Sequence, residues 1–219
     1  MRSPLLHPLA KPVVFLLCLL PFAGLLYGAL MNTLGANPAE HLIRSTGSWT
    51  LRFLCITLAV TPVRQWTGQH ALARFRRMLG LCAFAYASLH FLCYGWLDQG
   101  LDFNAIARDI AKRPFILVGF SALLLMLPLA ATSFNRAIKA LGAARWQALH
   151  RLVYAVAMLG VLHHFWMRAS KRRFGEVALY AAILAVLLGW RLWQAWRKRR
   201  AALDAGAVRP RAAGTAPSA

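Results

Sequence analysis

Four histidines, His90, His150, His163 and His164, lie within stretches otherwise composed for a lipid bilayer. Ionisable side chains at membrane depth are costly, so they usually face the bundle interior and mark a functional site. Imidazole is a standard axial ligand for haem iron. Histidines on separate membrane helices, in a chain without a soluble domain, therefore predict electron transfer through bound haem. The competing reading for any single one is a hydrogen bond to a neighbouring helix.

The elements that must position these rings follow from composition. The chain is 59% hydrophobic and 15% charged, with mean hydropathy +0.51, more apolar than a soluble domain. This predicts an all-α integral membrane bundle. The 26 basic against 6 acidic residues, net +20, fit basic cytoplasmic loops; no nucleic-acid-binding signature accompanies them. Cys18, Cys55, Cys82 and Cys93 form no CxxC pair, which argues against a zinc site, an iron–sulfur cluster or a redox dithiol. Arg2 and Lys11 precede the apolar run 12–31. That run is longer than a signal h-region and lacks an A-x-A site, so it reads as a retained span.

Six apolar stretches approach the ~20 residues that a crossing needs: 12–31, 47–63, 78–96, 114–131, 148–166 and 174–194. They make residues 12–196 one transmembrane domain, after an N-terminal segment 1–11 and before a basic tail 197–219 read as disordered. The second stretch is the weakest, because it contains Arg52, which would snorkel to the interface. Loops 64–77 and 132–147 are basic without an acid, whereas 32–46 and 97–113 mix signs. The positive-inside rule thus places both termini and the two basic loops in the cytoplasm. Arg168, Lys171, Arg172 and Arg173 dissent, since they would lie outside.

With this topology the third and fifth spans run parallel, which sets His90 and His163 at similar depth near the outer side. His150 starts the fifth span, about 20 Å further in at ~1.5 Å per residue. At that inner level the third span offers Arg76 or Arg77 rather than a histidine. His150 then serves an inner haem with an unusual second ligand, or else a propionate, a flavin or a quinone. Arg76 and Arg77 suit propionates or a flavin phosphate, and equally suit an anchor at a helix end. On an ideal straight helix His164 lies closer to the face of His150 than His163 does, so His164 stays an alternative ligand. Trp49, Trp66, Trp96, Trp166 and Trp193 fit an interfacial belt. No dinucleotide fingerprint or P-loop is present, so electrons must come from a quinol or a separate reductase.

The stretches RRMLGLCAFAYASLH (76–90), RWQALHRLVY (145–154) and VLHHFW (161–166) resemble the MsrQ (YedZ) family of the ferric reductase-like transmembrane superfamily. TGSWTLRFLCITLAVTP (46–62) and LAATS (129–133) support the likeness, which covers about 11–196. The resemblance implies a haem-binding inner-membrane subunit of a bacterial system repairing methionine sulfoxide in periplasmic proteins. Its electrons would come from the quinol pool or a cytoplasmic flavin reductase, and pass to the periplasmic molybdenum-containing subunit MsrP. It also implies haem b and FMN as cofactors, with the family's three histidines mapping onto His90, His150 and His163. The chain departs at His164, where relatives are expected to carry an aromatic residue. It departs again at the inner level of the third span, where arginine stands in place of the histidine of the larger NADPH oxidases. Two other functions remain open: a stand-alone ferric or cupric reductase, and a cofactor-free transporter using the histidines as a proton relay.

Overall fold

The computed structural model describes residues 4–169 and 174–207. Every regular element among them is helical: α1 (Ala10–Leu30), α2 (Pro38–Thr67), α3 (Arg76–Cys93), α4 (Phe103–Lys112), α5 (Pro114–Ala131), α6 (Asn135–Leu141), α7 (Ala143–His150), α8 (Leu152–Ala169) and α9 (Gly175–Ala207). Five segments are long and apolar enough to cross a membrane, namely Ala10–Leu30, His70–Asp98, Pro114–Ala131, Ala143–Arg168 and Gly175–Asp204. The protein is an all-α membrane bundle.

The second expected stretch, 47–63, lies inside α2 and is not among those five. The reason is positional. α2 is the inner helix of the bundle, burying Thr46, Leu51, Phe53, Leu54, Cys55, Thr57, Leu58 and Pro62 against its neighbours. A helix wrapped by protein has less need of a lipid-compatible surface. Its buried hydroxyls are satisfied locally, Thr46 donating to Leu42 O and Thr57 to Phe53 O. Arg52 is exposed; its guanidinium lies over the Trp49 ring and its Nε donates to the Tyr180 hydroxyl. Trp49 in turn packs on Phe53 and Tyr86; it is part of the core's edge. Trp66 and Trp96 are exposed, as a belt requires.

Several expected loops are helical. The 32–46 connection is mostly the start of α2, which begins where Asn37 accepts from Glu40 N and Pro38 occupies the first turn. Asparagine followed three residues later by glutamate is a strong start signal. The 97–113 connection contains α4, capped by Asp102, and 132–147 contains α6 and α7. α9 runs through Ala207, into the segment expected to be disordered from 197, because arginine, lysine, alanine and leucine are good helix formers. Lys171, Arg172, Arg173 and residues 208–219 lie outside the described residues.

Of the helix-interior prolines Pro21, Pro62 and Pro128, the first two show how the packing is shaped, since each removes a donor from the carbonyl four residues earlier. Pro62 deprives Leu58 O of its partner, and Arg191 on α9 supplies one, with Nη2 at 2.7 Å. The same guanidinium donates to the Tyr154 hydroxyl of α8 at 2.8 Å. One residue thus ties α2, α8 and α9. Beside Pro21 in α1, the Tyr86 hydroxyl accepts from Phe22 N at 2.9 Å and donates to Cys18 O at 3.0 Å. An unbroken helix would pair those two groups with each other, and few other buried residues anchor α1. Tyr86→Phe is therefore expected to lower stability by about 1–3 kcal/mol, the cost of polar groups left unpaired. Thermal unfolding in detergent, followed by tryptophan fluorescence, checks this.

Candidate functional site

His90 projects from the last turn of α3 and His163 from α8. His90 Nδ1 is 2.8 Å from Ile43 O on α2, and His163 Nδ1 is 2.6 Å from Phe115 O on α5. A carbonyl can only accept, so in both rings Nδ1 carries the hydrogen. The neutral imidazole then leaves Nε2 with a free lone pair, the form in which histidine binds a metal.

The same local device exposes both carbonyls. In a helix each Cβ leans toward the N-terminus and covers the turn before it. Four residues after Ile43 stands Gly47, and four after Phe115 stands Gly119. A Cβ on Gly47 would sit 3.1 Å from His90 Cε1 and Nδ1; one on Gly119 would sit 2.7 Å from His163 Nδ1. Glycine at each position lets a histidine from another helix reach the backbone.

The two rings approach with centroids 6.1 Å apart and planes at 73°. Imidazole–metal bonds run about 2 Å, as in zinc sites, so two rings sharing one metal have centroids roughly 6 Å apart. Both rings line a cavity of about 440 Å³, within the size range of small-molecule sites. Leu51, Leu54, Met126 and Val156 contribute apolar wall. Arg44, Arg113 and Arg168 also line it, each paired with a carboxylate: Glu40, Asp109 (2.8 Å) and Glu176 (2.5 Å) respectively. Among the described residues no group of three or more His, Cys, Asp or Glu could hold a bare metal ion. A pair of neutral imidazoles lining one largely apolar cavity suits an iron whose remaining ligands come from its own macrocycle. The donor set therefore fits haem.

The remaining expected residues separate into different places. His164 lines the same cavity, but its ring meets Tyr180 of α9 edge-on at 5.7 Å. Its Nε2 is buried without a hydrogen bond, 4.0 Å from Glu176. His150 is outside the cavity lining. Its Nε2 is 3.1 Å from Thr132 Oγ1, and its ring stacks on Trp146 at 4.0 Å. Trp146 Nε1 donates to Thr132 O, closing a three-residue cluster between α5 and α7. Only Arg151, itself in right-handed helical conformation, separates α7, which ends at His150, from α8, which begins at Leu152. Arg76 and Arg77 diverge as well. Arg76 lies within electrostatic reach of His150, Arg64 and Arg191, whereas Arg77 is exposed and donates to Asn135 Oδ1.

Gly47, Gly119, Thr132 and Trp146 were not singled out by sequence. A glycine inside an apolar helix was the available signal, since small residues mark close approach in membrane bundles.

Residues 46–161 match the family model described as ferric reductase like transmembrane component. The chain is 67% identical over 196 residues to a protein of Polaromonas naphthalenivorans, covering 90% of each. It is 55% identical over 196 residues to one of Ralstonia nicotianae, covering 89% of this chain and 90% of that one. A Herminiimonas arsenicoxydans protein is 51% identical, with 90% of each covered. All three are named Protein-methionine-sulfoxide reductase heme-binding subunit MsrQ. No solved structure matches.

Proposed function

The chain belongs to the MsrQ family of ferric reductase-like membrane proteins, and we propose that it is the haem-binding, electron-relaying subunit of a methionine sulfoxide reductase system. The observation that carries this reading is the pair His90 and His163, each with Nδ1–H committed to a backbone carbonyl and both lining one cavity. A bound haem b would supply one-electron chemistry at its iron. The two histidines would hold it from α3 and α8, while the apolar walls exclude water and favour the less charged state. Arg44, Arg113 and Arg168 would offer guanidinium groups to its carboxylates by exchanging their present partners.

The donor in this reading is the quinol pool or a cytoplasmic flavin reductase, and the acceptor is the periplasmic molybdenum-containing MsrP. Six crossings, with α2 as the second, bring both termini to the cytoplasmic side of the inner membrane. His150, fixed by Thr132 and Trp146, serves the electron-receiving side, with Arg76 beside it. FMN belongs to the same reading as a carrier on that side, with no residues assigned. Methionine sulfoxide chemistry takes place on the partner.

Purified protein is expected to show a low-spin b-type haem band in dithionite-reduced minus oxidised spectra. Mixing the reduced protein with the periplasmic subunit and methionine sulfoxide should reoxidise that band. Reduction of ferric citrate without any protein acceptor would favour a stand-alone metal reductase, and absence of haem would leave the transporter reading in front.

A further inference from the structure

Away from the histidine cavity, α2, α3 and α9 bring three arginines together with no acid. Arg64 lies in the last turn of α2, Arg76 opens α3, and Arg191 belongs to α9. Trp66 packs on Trp190 with centroids 5.9 Å apart and Gln194 Nε2 donates to Gln65 Oε1 at 3.4 Å, which sets the end of α2 that carries Arg64 against the stretch of α9 that carries Arg191. Arg76 lies within electrostatic reach of both and of His150. The Nε atoms of Arg64 and Arg191 are buried without a hydrogen-bond partner among the described residues. The two terminal nitrogens of Arg191 are occupied by Leu58 O and the Tyr154 hydroxyl. That accounts for why Arg191 is present but not for its unpaired Nε, nor for Arg64 and Arg76.

The chain has only six carboxylate side chains, and each is placed elsewhere. Glu40, Asp109 and Glu176 pair with Arg44, Arg113 and Arg168. Asp98 lines the histidine cavity and Asp102 caps α4. Asp204 stands on α9 about 20 Å beyond Arg191 at ~1.5 Å per residue. Like charges half-removed from water with unpaired donors are costly, and the described residues hold no counter-ion for them. Guanidinium groups match the oxygens of phosphate in geometry as well as charge. Basic recesses between membrane helices are suited to anionic headgroups.

We propose that Arg64, Arg76 and Arg191 form a binding site for a phosphate oxyanion, presented by an anionic phospholipid headgroup or as free phosphate. The site shares no residue with the cavity of His90 and His163, and it adjoins the electron-receiving side of the proposed function through Arg76, which stands beside His150.

The test uses the full-length, detergent-purified protein, with its haem spectrum recorded in the same samples. Thermal unfolding and native mass spectrometry are followed with phosphatidylglycerol, phosphatidylcholine or inorganic phosphate added. Phosphatidylglycerol should bind and raise the unfolding midpoint where phosphatidylcholine does not, and inorganic phosphate should do so only if the free ion is the ligand. Arg64→Gln and Arg76→Gln should each weaken that binding about tenfold, the loss of one charge-assisted bond. Arg64→Lys should restore part of it, and the exposed Arg136→Gln should leave it unchanged. Equal response to all three additions, or wild-type binding in both glutamine variants, overturns the proposal. Loss of haem from Arg64→Gln with phosphate and lipid binding intact also overturns it, assigning the arginines to propionates instead.

Discussion

His90→Ala and His163→Ala are each expected to abolish the low-spin haem band of the purified protein, while His164→Ala retains it. The asymmetry follows from where the adjacent rings point. The His163 and His90 rings meet edge-on with centroids 6.1 Å apart, each oriented by a backbone carbonyl. His164 turns toward Tyr180 and Glu176, so its removal costs packing against α9 but no ligand. Losing an outer-sphere partner of a ligand typically costs about 10–100-fold in metal affinity; losing the ligand itself should cost at least that. Added imidazole should restore part of the band in the two alanine variants, which separates a missing ligand from a collapsed fold. A band lost in His164→Ala and kept in His163→Ala would transfer the ligand role by one residue.

The pairing of His90 with His163 could be read from sequence, because depth in a membrane follows from span order and a fixed rise per residue. Those quantities survive tilt and uncertain boundaries. Facing does not survive so well. The angular comparison keeps His164 as an alternative, whereas the ring contacts turn His163 toward His90 and His164 toward Tyr180. The extent of α2 was obscured for a different reason. Ser45, Thr46, Ser48 and Arg52 dilute its apolar pattern, yet the threonine hydroxyls bond within their own helix and Arg52 is held by Trp49 and Tyr180. Hydropathy counts such groups as polar, whereas the bundle has already satisfied them. The tie between Pro62 and Arg191 links positions far apart in the chain. Its cause is visible locally, since any helix-interior proline leaves one carbonyl unpaired, but the residue that answers it depends on tertiary packing.

Gly119 offers the sharpest separation of haem binding from folding. Backbone carbonyls cannot be mutated away, so the bond that orients His163 is accessible only through the residue that uncovers Phe115 O. A methyl group at position 119 would stand 2.7 Å from His163 Nδ1, 2.9 Å from Cε1 and 3.1 Å from Cγ. The ring must move, and the 2.6 Å bond to Phe115 O is what it gives up. Within a helix, alanine is favoured over glycine by roughly 0.8–1 kcal/mol, so Gly119→Ala should not destabilise the helix backbone. Haem affinity should nevertheless fall about 10–100-fold, as when a metal-bound histidine loses its orienting partner. Gly47→Ala faces a contact of 3.1 Å with His90, which a shift of a few tenths of an ångström relieves, so its effect should be the smaller of the two. Haem titration into the apoprotein, with thermal unfolding in parallel, measures both quantities. Wild-type haem affinity in Gly119→Ala would show that the Phe115 carbonyl does not orient the ligand. An unfolding midpoint lowered together with the affinity would assign Gly119 to helix packing rather than to the site.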